Sequence, residues 1–119
     1  MLELSHKKLI AWQKAVELLP PLYSLCGKLP SEERYNLISQ MKRAGLSVSN
    51  NLAEGCARKS KAEKNRFFEV ARSSVVEIDN LLVASLAVKY LNKEDIKEVD
   101  RRNVELFRLI SGLIGSNNK

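Results

Sequence analysis

The sequence contains little of what builds metal centres, disulfide scaffolds or membrane spans. Among its 119 residues there are two cysteines and one histidine, and no Cys-x-x-Cys pair occurs, so a zinc site is not expected. Cys26 and Cys56 are expected to be buried free thiols, with a disulfide or metal pair as the alternative reading. No run of about 18 apolar residues is present, so no membrane-spanning helix is expected.

Glycine and proline are also scarce, at five and three residues, and no segment is of low complexity. Disorder is therefore not expected beyond the chain ends. The N-terminal residues, Met-Leu-Glu-Leu-Ser-His, do not have the layout of a signal peptide, because acidic and polar residues interrupt them. A chain of this length is expected to form a single domain, 1–119, with the cytoplasm as its default location.

Sustained alternation of apolar and polar residues, the signal of a half-buried strand, is missing as well. Apolar residues recur instead at helical spacing. The pattern predicts four helices, at about residues 7–27, 31–54, 60–91 and 92–114. Because the connections are short, sequential helices should run antiparallel. The predicted fold is therefore all-α, an antiparallel up-down-up-down four-helix bundle.

Local signals predict where the helices begin. Ser31 is expected to cap the second helix. Ser60 begins a Ser-x-x-Glu capping box with Glu63, and Asn92 is expected to cap the fourth helix. In the fourth helix, Asn103 falls among the apolar positions. It is read either as a buried residue that fixes register or partner choice, or as a partly exposed residue at the bundle edge.

Other signals predict interruptions and ends. Pro20 and Pro21 should either kink the first helix near Leu19 or divide it into two shorter helices. Gly45 lies in the middle of the second helix, where glycine costs about 1 kcal/mol against alanine, so a neighbouring helix is expected to approach closely there. Gly55 is read as the end of the second helix, and residues 115–119 as a fraying end.

The sequence gives little support to catalysis. It has no glycine-rich phosphate loop and no nucleophile elbow, and its one histidine, His6, lies near the N-terminus. No Glu-x-x-His pair is present for a di-iron site. Glu54, Glu77 and Asp79 are read as solvated or ion-paired carboxylates. We therefore expect no enzymatic activity, no cofactor and no metal.

Positive charge is concentrated in one part of the chain. Between Arg34 and Arg72 there are nine Lys and Arg residues and three acidic residues, a difference of +6, which equals the net charge of the whole chain. Such a surface favours nucleic acid through counterion release, although an ordinary solvated helix face is an equal alternative. The candidate nucleic-acid-binding residues are Arg58, Lys59, Lys61 and Lys64, expected at or just past the turn between the second and third helices, and Lys42, Arg43 and Arg66, expected further along these two helices.

Several short motifs add up to a family resemblance that extends roughly from Leu9 to Leu113. They are Ala-Trp-Gln-Lys-Ala (11–15), Leu-Pro-Ser-Glu-Glu (29–33), Ser-Gln-Met-Lys-Arg-Ala (39–44) and Asn-Leu-Ala-Glu-Gly (51–55). The chain resembles the small four-helix-bundle proteins encoded in intervening sequences of bacterial 23S ribosomal RNA genes, which are often named as ribosomal proteins. It is also similar to the accessory variability proteins of diversity-generating retroelements.

This resemblance implies a non-enzymatic bundle that assembles into a ring, commonly of five subunits, and binds nucleic acid. Apolar side chains such as Trp12, Tyr23 and Leu86 could serve the contacts between neighbouring subunits. Structured RNA is expected as the ligand rather than DNA. The alternative is a protein-interaction scaffold, such as an accessory subunit of a retroelement reverse transcriptase.

Overall fold

The computed structural model describes residues 1–118 and consists of four α-helices joined by short connections. The helices are α1 (Ile10–Cys26), α2 (Ser39–Cys56), α3 (Lys61–Ala87) and α4 (Lys93–Asn117). No strand occurs within residues 1–118, so the all-α prediction is confirmed. The bounds differ from the predicted ranges 7–27, 31–54, 60–91 and 92–114, and they differ most at the start of α2.

Consecutive helices pack side by side, and their residue numbers run in opposite directions, as antiparallel neighbours require. Residues near the start of one helix contact residues near the end of the next. The contacting pairs are Leu19–Gly45 and Cys26–Met41, then Ser47–Ser74 and Gly55–Phe68, and then Asn103–Val75 and Asn117–Lys61. Contacts between α1 and α4, including the ion pair of Lys14 with Glu105, close the bundle.

The core is made mainly of aliphatic side chains, and all four helices contribute to it. Fully buried members include Leu18, Leu22, Met41, Val48, Leu52, Ile78, Leu82, Leu106 and Ile110. Val48, Ile78 and Leu106, which fall on the apolar helical repeat of the second, third and fourth segments, are all buried as that repeat predicts. The helical repeat of the first segment predicts an apolar stripe of Leu9, Trp12, Ala15, Val16, Leu19, Leu22, Tyr23 and Cys26. The observed stripe is rotated from it: Leu18 and Leu25 are buried, whereas Val16 and Tyr23 are exposed.

Both prolines of α1 lie inside one continuous helix, so its division into two shorter helices is wrong. A proline at position 20 or 21 cannot donate to the carbonyl four residues before it. Those carbonyls belong to Val16 and Glu17, which are exposed and can be solvated. Before α1, a separate 3-10 turn spans Ser5–Lys8, so the helix begins later than predicted.

The segment before α2 is irregular, which makes the predicted helix start and the Ser31 cap wrong. A 3-10 turn at Ser31–Glu33 is followed by a π-helical turn at Arg34–Ile38, and regular α-helix begins only at Ser39. The residue that caps this segment is Glu33, whose carboxylate accepts the backbone N–H of Leu37 at 3.4 Å.

Two glycines of α2 allow neighbouring helices to approach closely. A Cβ at Gly45 would lie 2.6 Å from Cδ2 of Leu22, which confirms the prediction of close packing there. A Cβ at Gly55 would lie 2.6 Å from Cε1 of Phe68. Gly55 is therefore a packing position inside the helix and not its end, because α2 continues to Cys56.

The predicted caps Ser60 and Asn92 are confirmed, although α3 has only the Ser60 half of its predicted capping box. Ser60 Oγ accepts the backbone N–H of Glu63 at 3.1 Å. Asn92 and Asp95 form a complete capping box, in which each side chain accepts a backbone N–H of the other residue.

The last turn of α4 does not fray, contrary to the prediction. Asn117 Nδ2 donates to the Lys61 carbonyl and to Asn65 Oδ1, both at 2.9 Å, and Asn65 Nδ2 donates to Asn118 Oδ1 at 2.7 Å. These amides tie the end of α4 to the first turn of α3. The final residue of the predicted fraying end, residue 119, lies outside the described residues.

Both cysteines are free thiols, as expected; Cys26 is buried and Cys56 is half-buried. No described helix is long and apolar enough to cross a bilayer. Asn103 is 3% exposed, so it is the buried member of the α4 seam rather than an edge residue.

Candidate nucleic-acid interface

The structure separates the candidate basic residues into two groups along α2. Lys42 and Arg43 lie in its first turns, whereas Arg58 follows its last residue, Cys56. At a rise of 1.5 Å per residue, the sixteen residues from Lys42 to Arg58 correspond to roughly 24 Å. Lys42 and Arg43 therefore lie along α2 away from its connection to α3, as expected, whereas the other candidates lie at or near that connection.

The Lys42 side chain packs between α1 and α2. Its Nζ lies 4.8 Å from the ring centroid of Tyr23, in the range of a cation–π contact, and the side chain is half-buried. Arg43 is exposed and has no charged partner within residues 1–118. These two residues lie near the start of α2, away from the α2–α3 connection.

The connection between α2 and α3 is compact and well defined. Backbone N–H groups of Ala57 and Arg58 donate to the carbonyls of Glu54 and Gly55, both at 3.1 Å, and Ser60 then caps α3. Because Gly55 has no side chain, Phe68 packs directly on α2 and holds the two helices together at this end. The basic residues of the connection therefore lie on backbone that is held by hydrogen bonds and by the packing of Phe68.

Two of these basic residues also stabilise the corner itself. The Arg58 guanidinium binds the Glu54 carboxylate at 2.8 Å and lies 4.8 Å over the ring of Phe67. The Lys64 ammonium donates to the Cys56 carbonyl at 3.2 Å and so covers the end of α2. A positive charge at a helix C-terminus is favourable for the helix dipole.

Other cations at the corner are more available to a ligand. Lys59 and Arg66 are exposed and have no acidic partner among the described residues. Lys61 is exposed as well, with its carbonyl bound to Asn117. The residues most open to a phosphate group at this corner are therefore Lys59 and Arg66.

The N-terminal segment brings two further lysines that the sequence analysis missed. The 3-10 turn Ser5–Lys8 packs beside the α2–α3 connection, and Lys8 lines a shallow groove together with Cys56 and Lys64. The predicted antiparallel topology could have placed these lysines here, because it puts the start of α1 beside the end of α2. We call the resulting surface the basic end, made of Lys7, Lys8, Arg58, Lys59, Lys61, Lys64 and Arg66.

The opposite end of the bundle has a different charge pattern. Asp95 and Glu94 occupy the first turn of α4, and Lys28 reaches across from the end of α1 to Asp95 at 3.2 Å. The hydrogen bond from the Asn92 backbone, followed by that from Lys28, holds the pKa of Asp95 below its usual value. At this end, acidic side chains therefore lie among the cations Lys28, Lys93 and Lys97.

The residues that commonly carry catalysis are occupied with packing. His6 lies edge-on against Trp12, with ring centroids 5.0 Å apart. Burial raises the pKa of both thiols, more than the nearby Lys42 and Lys64 lower it, so Cys26 and Cys56 are poor nucleophiles at neutral pH. Among residues 1–118 no group of three or more His, Cys, Asp and Glu side chains could hold a metal ion.

Comparison with known protein families shows which family this chain is related to. The model of the 23S rRNA-intervening sequence protein family matches residues 7–112 of this chain. The chain belongs to this family. No curated protein matches the chain.

The match to the 23S rRNA-intervening sequence protein family includes the whole basic end, from Lys7 to Arg66. It ends at residue 112, before Asn117 and Asn118. The amides that tie the last turn of α4 to α3 are thus a feature of this chain outside the matched region.

Proposed function

We propose that this protein is a non-enzymatic, self-associating bundle that binds structured RNA through its basic end. The observation that carries the proposal is that cations from the N-terminal turn, the α2–α3 connection and the start of α3 share one end of the molecule. Lys59 and Arg66 have no acidic partner there among the described residues.

Lysine and arginine on rigid helix ends suit contacts to phosphate groups. Such contacts fix the position of a protein on a nucleic acid but carry little sequence information. The expected binding is therefore strongly salt-dependent and only weakly selective for sequence. The family's link to intervening sequences of 23S rRNA favours RNA over DNA as the ligand.

A binding titration by fluorescence anisotropy tests this proposal. The labelled ligands are a structured fragment of 23S rRNA and a DNA duplex of equal length, each at low and near-physiological salt. The proposal predicts binding that persists at the higher salt and is tighter for the RNA. Binding that disappears equally for both ligands at the higher salt would contradict it, because simple counterion attraction would then account for the data.

A second candidate function is a scaffold that docks a partner protein, such as a reverse transcriptase. It is favoured by exposed apolar side chains on α3 and α4, which are unusual for a surface that meets only water: Val76, Val83, Val104 and Phe107 are 40% to 55% exposed. A reverse-transcriptase gene beside this one would support the scaffold. A position inside a 23S rRNA gene would support the RNA-binding function.

Self-association is the part of the proposal that concerns these apolar residues. Trp12 and Leu86, which the sequence analysis assigned to contacts between subunits, pack against the core of their own chain. Exposed apolar side chains occur on all four helices, and those on α3 and α4 are Val70, Val76, Val83, Val104 and Phe107.

A further inference from the structure

A buried amide on α4 has an oxygen without a hydrogen-bond partner. Asn103 is 3% exposed, and its Nδ2 donates to the Val75 carbonyl at 3.0 Å. Its Oδ1 is buried and has no partner within residues 1–118. Buried polar atoms in native proteins are nearly always paired, so this oxygen indicates that a donor is still to be supplied.

Asn103 is the one buried polar residue that lines a groove between α3 and α4. The groove has a volume of about 350 Å³, and its walls are formed by Val76 on α3 and by Val104 and Phe107 on α4. These three side chains are 53%, 41% and 40% exposed. Apolar walls, this volume and a few convergent polar groups are typical of a site for a small ring system. A ligand that fits must offer an apolar face and an N–H donor.

The two ends of the groove carry opposite charges. Arg108 lies towards the basic end, because α4 runs from Asn103 past Arg108 to Asn117, which is bonded to Lys61. Asp79 lies at the far side, because α3 runs away from the basic end. Neither Arg108 nor Asp79 has a charged partner among the described residues. An anionic group on the ligand is therefore attracted to the side that faces the basic end and repelled from the other side.

A second cation lies on the side of the groove that faces the basic end. Arg72 Nη1 donates to Ser111 Oγ at 3.2 Å, and the Arg72 guanidinium lies 5.9 Å from the ring centroid of Phe107. From Arg108 to Asn117, α4 rises by about 14 Å. About four nucleotides of a stacked strand span that distance, so a strand bound at the basic end can reach the groove.

We propose that the groove binds one unpaired adenine of the RNA that the basic end holds. The exocyclic amine of the adenine donates to Asn103 Oδ1, in the pairing that asparagine makes with adenine in nucleic-acid recognition. The ring packs on Phe107, as unstacked bases do on aromatic side chains, and the phosphate lies on the Arg108 side. A base in a loop or bulge can enter the groove in this way, whereas a base inside a duplex cannot.

This inference rests on the proposed RNA binding and goes beyond it. Contacts of the basic end to phosphate groups carry little sequence information, and the groove adds a preference for one base. Self-association remains open to exposed apolar side chains outside the groove, such as Ile10, Val16 and Leu46.

Two RNA hairpins with the same stem test the contact with Asn103. The loop of one hairpin is made of adenosines, and the loop of the other is made of purine ribosides, which lack only the 6-amino group. Fluorescence anisotropy with the full chain at near-physiological salt gives the two dissociation constants. We expect the adenosine loop to bind about tenfold more tightly. Because the change is made in the ligand, the folding of the protein is not affected.

A variant of the groove wall tests whether the preference arises in the groove. Phe107→Ala should weaken binding of the adenosine loop by about tenfold, because the stacking contact with the base is lost. Tyr35→Ala is the matched control, since Tyr35 is 87% exposed and lies on the turn before α2, outside the groove. It should bind the adenosine loop as the unmodified protein does.

Each other result would overturn the adenine contact. Equal affinity for the two hairpins would do so and leave RNA binding in place, and so would a Phe107→Ala variant that binds as tightly as the unmodified protein. Loss of binding to both hairpins would contradict the proposed function as well. AMP is the third ligand: if it displaces the adenosine loop at concentrations near the dissociation constant of the hairpin, the groove takes a free nucleotide and not a base of RNA.

Discussion

At the scale of single residues, two glycines in helices have opposite roles. Gly55 faces Phe68, with an added Cβ only 2.6 Å from the ring, and Phe68 is buried and held by the core. Gly112 has nothing within 4 Å of its Cβ position. The first glycine is needed for packing, whereas the second only weakens its helix.

Alanine substitutions should therefore move stability in opposite directions. We expect Gly55→Ala to lower the free energy of unfolding by about 1–3 kcal/mol, because overpacking exceeds the gain in helix propensity. Gly112→Ala should raise it by about 1 kcal/mol, since only propensity changes. Urea denaturation followed by circular dichroism measures both. A stabilised Gly55→Ala variant would show that the contact with Phe68 relaxes freely.

Residue-scale predictions from the sequence succeed where the cause is local. Ser60 and Asn92 were recognised as caps because a cap depends on a few neighbouring residues. Gly55 was misread as the end of a helix. A glycine there can either end a helix or admit another helix, and only the position of Phe68 distinguishes the two. Asn103 was placed among the seam positions, but its unsatisfied oxygen depends on the arrangement of α3 and α4.

At the scale of the helices, the end of α3 stores backbone strain. Lys89 adopts a positive φ of 64°, and the N–H groups of Tyr90 and Lys89 donate to the carbonyls of Ser85 and Leu86 at 3.1 and 3.0 Å. This is a Schellman motif with a lysine at the position that usually holds glycine. The helix ends because of these hydrogen bonds, although no glycine at this position indicates a helix end in the sequence.

Lys89→Gly should relieve that strain. Left-handed backbone costs an ordinary residue about 1–2 kcal/mol, part of which is returned by the greater freedom of glycine in the unfolded chain. We expect the free energy of unfolding to rise by about 1 kcal/mol, with Lys89→Ala as a control that keeps the strain and removes the charge. If both variants behave alike in urea denaturation, the backbone at this position is not strained.

Asp95, in the first turn of α4, should make the free energy of unfolding depend on pH. Since the pKa of Asp95 is lowered in the folded chain, its stabilising effect is fully present above its ordinary value of 3.8 and is lost as the pH falls through the lower folded-state pKa. Asp95→Asn should therefore unfold at lower temperature than the unmodified protein at neutral pH, and the difference should shrink in acid.

Thermal unfolding between neutral pH and strong acid measures this effect. Glu94→Gln is the matched control, because Glu94 shares the first turn of α4 but makes no hydrogen bond or ion pair within the described residues. It should follow the unmodified protein closely across the pH range. An Asp95→Asn variant whose deficit stays constant into acid would show that the carboxylate does not act through its charge.

The sequence predicted that four helices exist better than it predicted the residues at which they begin and end. Hydrophobic periodicity is a long-range signal, and all four segments contain a helix. The first eight residues assigned to the second helix form short 3-10 and π-helical turns instead. Such turns keep nearly helical spacing of side chains, so periodicity cannot separate them from regular helix.

At the scale of the whole molecule, folding redistributes the charge that the sequence had grouped. The sequence grouped Lys42 and Arg43 with Arg58 in one set of candidates, and a continuous α2 holds these two residues roughly 24 Å from Arg58. Nearness in space adds Lys7 and Lys8, which come from the N-terminal turn, more than forty residues earlier in the chain. The candidate site was therefore predicted in part. The positions of charged residues in the sequence do not show which of them lie together once the chain has folded.

The most direct test of the basic end compares two double variants of equal charge. Lys59→Glu with Arg66→Glu reverses the two cations without acidic partners at the basic end. Lys93→Glu with Lys97→Glu reverses two exposed cations near the start of α4, at the opposite end. Both lower the net charge equally, so general attraction of the chain for polyanions changes by the same amount.

The measurement is the dissociation constant for the 23S rRNA fragment across a series of salt concentrations. The account predicts that the variant of the basic end loses about tenfold or more in affinity and that its salt dependence flattens by about two phosphate contacts. The variant at the opposite end should remain close to the unmodified protein. Equal losses in the two variants would contradict a binding site at the basic end.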